Sequence, residues 1–140
     1  MKNNHVTINC LAFQLGLARK KVQKWYEQHL ETWGLNTSYV YVMEVIQEFG
    51  PSNLSFIAEK LELERATVSN LLGRMERDGF IVRLPGKERR SMEVHLTDQG
   101  KEVLQEALIG LQEADKQLDE LLQGSLTEVK DSIRILNLNL

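Results

Sequence analysis

The chain has one cysteine, Cys10, in 140 residues. A lone thiol cannot close an intrachain disulfide, which excludes a stapled secreted scaffold and suits a reducing compartment. Long apolar runs are missing too. None approaches the roughly 20 residues that span a bilayer, and the uncharged stretch from Asn3 to Ala18 is interrupted by Asn, His, Thr and Gln and lacks a small-residue cleavage site. The expectation is a cytoplasmic protein with no membrane partner. His5, His29 and His95 fall on separate segments without metal-ligand spacing, so neither a metal nor another cofactor is expected. There is no nucleophile elbow and no phosphate-cradling glycine loop, and the acidic group Glu113, Asp115, Asp119, Glu120 reads as a solvated helix face. An enzyme is not expected.

What is present is an ordinary globular composition, 42% hydrophobic and 26% charged, enough for one domain with helical extensions. The charge is unevenly placed. The formal net charge is -3, yet between Arg65 and Arg90 seven Lys/Arg face three acids, so that segment is cationic and the remainder strongly acidic. Such a segment marks where a polyanion can dock without the whole surface attracting anions.

Apolar residues at helical spacing run through Leu11, Leu15, Ala18, Val22, Trp25 and Trp33, predicting one amphipathic helix that ends near Gly34. Ser38 is placed to cap a second helix that Gly50-Pro51 stops, and Asn53 to open a third. Only a short turn separates the third from a stripe at Val68, Leu71, Leu72 and Met75, which predicts a helix-turn-helix. Gly79 closes that helix; Phe80 to Leu84 reads as a strand, Pro85-Gly86 as a turn, and Met92, Val94 and Leu96 as the returning strand. Thr97 caps a long helix, expected to bend near Gly110, and Ser125 starts another. The fold class is therefore mainly α with a small β wing: a winged helix-turn-helix at 35–100, flanked by dimerisation helices at 1–34 and 101–140 that are too apolar to stand alone in water.

On the helix beginning at Arg65, the face opposite the apolar stripe is small and polar, which is what entry into a major groove requires. Arg65, Ala66, Thr67, Ser69, Asn70, Arg74 and Arg77 are the candidate DNA contacts there, with Asn70 able to pair with adenine and Arg65 with guanine or phosphate. By itself such a face is equally an ordinary solvated one. The adjoining hairpin adds Arg83, Lys87, Glu88, Arg89 and Arg90, cations at a tip suited to a narrow minor groove, with Glu88 placed to orient a guanidinium.

Four segments occur in family-like order: Ile57-Ala58-Glu59-Lys60-Leu61, Gly79-Phe80-Ile81-Val82-Arg83, Glu88-Arg89-Arg90 and Leu96-Thr97-Asp98-Gln99-Gly100. With the long flanking helices, they make the chain resemble the MarR family of bacterial transcriptional regulators over nearly its whole length. The resemblance implies a homodimeric, ligand-responsive repressor that binds double-stranded DNA at a pseudo-palindromic operator, with Arg90 as the minor-groove arginine. Glu88 stands where the family usually has Asp, and Glu64 where it usually has a Ser or Thr cap. The family commonly releases DNA when a small phenolic or amphipathic effector enters a crevice beside the dimerisation helices. Phe13, Trp25, Tyr26, His29, Trp33, Tyr39 and Met43 are candidates to line it, although each also fits a core or dimer-interface position. Cys10 lies near the position of the reactive thiol in peroxide-sensing members, but an inert buried thiol is the expectation. The rival reading in another class is a winged-helix protein-interaction module that has lost DNA binding.

Overall fold

The computed structural model describes residues 6–88 and 90–140. The elements are α1 (Val6–Asn9), α2 (Leu11–Gln28), a 3-10 turn (Glu31–Trp33), α3 (Thr37–Phe49), α4 (Leu54–Leu61), α5 (Arg65–Arg77), β1 (Ile81–Pro85), β2 (Met92–Leu96), α6 (Asp98–Leu121) and α7 (Leu126–Asn139). The core gathers one stripe from each middle element: Val40 and Met43 of α3, Ile57 of α4, Val68, Leu72 and Met75 of α5, Ile81, Val94 and Leu104, each at most 2% exposed. Burial on this scale contributes about 1.5–3 kcal/mol per large side chain, which is what holds such short helices in place.

The strands pair antiparallel, with Ile81 opposite Leu96 and Pro85 opposite Met92. Ser52 adds a one-residue third strand: its N–H donates to the Val94 carbonyl at 3.3 Å and its carbonyl accepts from the Val94 N–H at 2.8 Å. The hairpin is thereby tied to the loop that precedes α4.

Four local expectations are corrected. The first long helix stops at Gln28, not near Gly34, because the chain tightens into i→i+3 bonds, His29 N–H to Tyr26 O and Leu30 N–H to Glu27 O, both 3.0 Å. That turn drives Leu30, 0% exposed, into the core, and Gly34 leaves it in the left-handed region at φ +68°. The cap of α3 is Asn36, not Ser38: its Oδ1 accepts from Tyr39 N–H at 2.9 Å. Pro85 is the last residue of β1 and not a turn residue, a strand-end position where its missing N–H leaves no ladder bond unmade. Finally, α6 runs unbroken through Gly110. The glycine makes room: a Cβ there would lie 2.9 Å from the Trp33 ring.

Thr97 caps α6 as expected, accepting from Gly100 N–H at 3.0 Å. At α7 the cap comes from elsewhere; Asp119 Oδ1 accepts from Leu126 N–H at 3.0 Å, while the Ser125 hydroxyl donates back to the Leu122 carbonyl at 2.6 Å. Among the described residues no helix is long and apolar enough to cross a membrane.

Candidate nucleic-acid interface

The two helices of the helix-turn-helix are joined by three residues. Asn53 caps α4 by accepting from Phe56 N–H at 2.8 Å, and α4 ends at Glu62 in the left-handed region, φ +53°, which lets Leu63 N–H reach the Ala58 carbonyl at 3.0 Å. Because Val68, Leu71, Leu72 and Met75 are buried, α5 turns Arg65, Ala66, Thr67, Ser69, Asn70, Arg74 and Arg77 outward, and all seven are exposed. Among the described residues, Arg65, Thr67, Ser69 and Asn70 spend no side-chain hydrogen bond or ion pair within the protein. Their donors and acceptors are available to a ligand. Glu64 is the N-cap and its side chain makes no capping bond.

The C-terminal end of α5 is pinned from α3. Tyr39 O–H donates to Asp78 Oδ2 at 2.9 Å, Arg77 Nε lies 3.3 Å from Asp78 Oδ1, and the Tyr39 ring meets Phe80 edge-on. Burial, then the hydrogen bond to Asp78, raises the Tyr39 phenol above its ordinary pKa, so it remains a donor. Sequence alone gives no signal for this pair, since its members lie 39 residues apart.

The hairpin tip is closed by Gly86 N–H to Ser91 O at 2.9 Å and by Ser91 N–H and hydroxyl to Glu88 O at 3.1 and 3.0 Å. A Cβ on Gly86 would lie 2.6 Å from Ser91 Oγ, so a larger residue there would have to displace the Ser91 hydroxyl. Lys87, Glu88 and Arg90 are exposed, and Arg90 has φ +70°. No ion pair joins Glu88 to Arg90 among the described residues; Arg89 lies outside them. Arg83 stands apart from the tip. Its guanidinium lies over Gly73 of α5 with Nε 3.8 Å from Glu76 Oε2, and that Nε is shielded from solvent without a hydrogen-bond acceptor. The strand arginine faces α5, and the tip arginine faces solvent.

The MarR family profile matches residues 35–91, the stretch that holds α3 to α5 and most of the hairpin. Over a longer span, the chain is 28% identical to the HTH-type transcriptional regulator MgrA of Staphylococcus aureus across 138 residues, 97% of this chain and 91% of that one. Through its helix-turn-helix and the start of its hairpin the chain is similar to the MarR family. Similarity to an uncharacterized HTH-type transcriptional regulator of Bacillus subtilis, YkoM, reaches 38% over 72 residues, 51% of this chain; the match spans only about half of that relative, 47%. A likeness of fold extends to the whole chain: CouR, a transcriptional repressor solved bound to a 23-mer DNA duplex, superposes with a TM-score of 0.82 at 22% identity over 97% of this chain and 95% of that one. CouR bound to p-coumaroyl-CoA gives 0.86 at 19% identity over 99% of both chains. These relatives are named as transcriptional regulators.

The side chains expected at a MarR effector crevice separate. Met43 and Tyr39 are core, 0% and 4% exposed, and Phe13 is exposed on α2. Trp25, Tyr26, His29 and Trp33 instead join α2 and the turn after it to α6: Trp25 Nε1 donates to Ala114 O at 3.0 Å, Tyr26 O–H to Asp115, and Trp33 Nε1 to Glu106 at 2.7 Å, with His29 Nε2 3.4 Å from Gln117 Oε1. A cavity of about 520 Å³ does lie between α2, α3 and α6. Of the seven candidates, Tyr26 lines it; Thr37, Tyr41, Glu44, Leu108, Leu111, Gln112 and Asp115, none of them among the candidates, complete the wall. In the single chain Cys10 is exposed, at the start of α2.

Proposed function

We propose that this protein is a DNA-binding transcriptional regulator of the MarR family, acting as a homodimer on a pseudo-palindromic operator from a cytoplasmic location. The observation that carries the reading is the α5 face: Arg65, Thr67, Ser69 and Asn70 are exposed and unengaged on a helix whose other side is locked into the core. A helix so presented suits the major groove, and the cationic hairpin suits the flanking minor groove. In this reading Arg65, Asn70, Arg74 and Arg77 meet bases and phosphates, Lys87, Arg89 and Arg90 meet the minor groove and its rims, and Arg83 with Glu76 braces the hairpin against α5.

The homodimer is supported by apolar surface concentrated at the two chain ends. Val6, Leu11, Ile135 and Leu138, on α1, α2 and α7, and Leu140 just after α7 are 59–99% exposed, and a groove of about 740 Å³ lies between α2, α6 and α7. A second copy covers such a surface most economically. Residues 1–34 and 101–140 then serve pairing, and 35–100 serve DNA. The structure of CouR bound to p-coumaroyl-CoA supports an effector-responsive regulator here as well, and the α2–α3–α6 cavity is the place for a small amphipathic one.

Selection from a randomised duplex pool at two salt concentrations tests this directly. A palindromic consensus with steep salt dependence is expected. Absence of enrichment at low salt would instead favour a protein-interaction module.

A further inference from the structure

The cavity between α2, α3 and α6 has a chemical character that the aromatic residues alone do not convey. Its apolar wall is Leu108 and Leu111 of α6, its aromatic walls are Tyr26 and Tyr41, and its charged groups are two carboxylates, Glu44 and Asp115, with no cation among the lining residues. At about 520 Å³ it is the size of small-molecule sites generally.

The carboxylates are held differently. Asp115 accepts from the Tyr26 hydroxyl, and Lys130 Nζ on α7 reaches its other oxygen at 2.6 Å from outside the cavity, on the side of the neighbouring groove. Glu44, exposed on α3, has no ion-pair partner among the described residues. A third carboxylate backs the wall, since Glu27 accepts from the Thr37 hydroxyl at 3.5 Å. An anionic ligand entering here would meet the unpaired Glu44 carboxylate, whereas an ammonium placed beside Glu44 and the Tyr26 and Tyr41 rings gains a Coulomb attraction and, over a ring, a cation–π one.

We propose that this cavity binds a small organic cation with an apolar or aromatic body, an arylalkylammonium, with Glu44 as the residue that selects its charge. The proposal rests on the reading of the protein as an effector-responsive regulator, and names the class of effector.

Calorimetric titration of the full chain with tryptamine, tryptophol and indole-3-acetate tests the charge selection, because the three share a ring system and differ at the terminal ammonium, hydroxyl or carboxylate. Tryptamine should bind at least about tenfold tighter than tryptophol, with indole-3-acetate weaker still. Glu44→Gln, at an exposed position with no partner to lose, should reduce tryptamine to the tryptophol level and leave tryptophol unchanged. Equal binding of all three, preference for the carboxylate, no binding of tryptamine, or full retention of tryptamine by Glu44→Gln overturns the proposal. Charge-selective binding confirmed in this way, but without any change in DNA affinity, keeps the cation site and overturns only the effector reading.

Discussion

Gly100 stands so close to Phe80 that a Cβ on it would lie 2.1 Å from the Phe80 carbonyl oxygen. The same oxygen accepts from Thr97 N–H at 3.1 Å, and the Thr97 hydroxyl donates to the Gly79 carbonyl at 2.6 Å. The start of α6 is thus pressed onto the backbone that follows α5. The glycine is required for room and not for an unusual φ, and backbone cannot step aside as a side chain can. Gly100→Ala should destabilise the fold by about 3 kcal/mol or more in urea denaturation; a loss below 1 kcal/mol would mean that the contact can relax.

At the other end of α5, Glu64 occupies the cap without capping. Glu64→Ser should supply the missing acceptor and stabilise the protein by about 1 kcal/mol. It also removes a negative charge next to the proposed phosphate path, so operator affinity should rise. Unchanged denaturation midpoints would show that the α5 N-terminus is already satisfied by solvent.

Arg90 combines a side chain proposed to enter the minor groove with a backbone that favours glycine, φ +70°. Arg90→Gly should leave thermal stability unchanged or slightly higher while reducing operator affinity at least about tenfold and lowering the salt slope by about 1. Full DNA affinity in that variant would remove Arg90 from the interface.

Asn70→Ala, at an exposed position, is expected to relax preference at one base pair per half-site, worth about 1–3 kcal/mol, with the fold intact. A loss uniform across all operator sequences would make Asn70 a phosphate contact instead.

The network at the α2–α6–α7 junction predicts how stability responds to pH. Burial opposes ionisation of Asp115, but the hydrogen bonds from Lys130 and Tyr26 outweigh it and hold the carboxyl below its usual range. Its contribution is therefore present above about pH 4 and lost as the pH falls through the lower folded value. Burial, then the bond to Asp115, raises the Tyr26 phenol, so that contribution holds at neutral pH and is lost only as the pH climbs past its ordinary range into the raised folded one. The stability difference between wild type and Asp115→Asn should narrow in acid. In an alkaline ultraviolet titration, Tyr26→Phe should delete the latest tyrosinate phase.

The helix-turn-helix and its hairpin are legible in sequence because their buried faces repeat at the helical and strand periods, with Gly79 and Asn53 at the joints. The segment Leu96 to Gly100 is legible as a pattern, but the reason for its glycine is a carbonyl 20 residues earlier that no local rule reveals. The break after Gln28 escapes for a related cause: neither proline nor glycine marks it, and the pull of Leu30 into the core is a tertiary effect. Gly110 reads as a bend when it is a seat for Trp33, since glycine in a sequence does not distinguish flexibility from close approach. Aromatic side chains draw attention to the effector site, yet most of them fasten α2 to α6. The cavity's own residues, Tyr41, Glu44 and Asp115, look like solvated helix positions until the fold brings three helices together.

The junction at Gly100 also has a mechanical consequence. With its first turn fused to the end of α5, α6 behaves as a rod whose 24 residues extend about 36 Å. A tilt of only about 5° at the far end, where α7 folds back, would swing the near end by about 3 Å, close to the spacing between adjacent base pairs. In the proposed dimer, a pair of such rods would slip out of phase with the double helix without any residue of the reading surface changing its own shape.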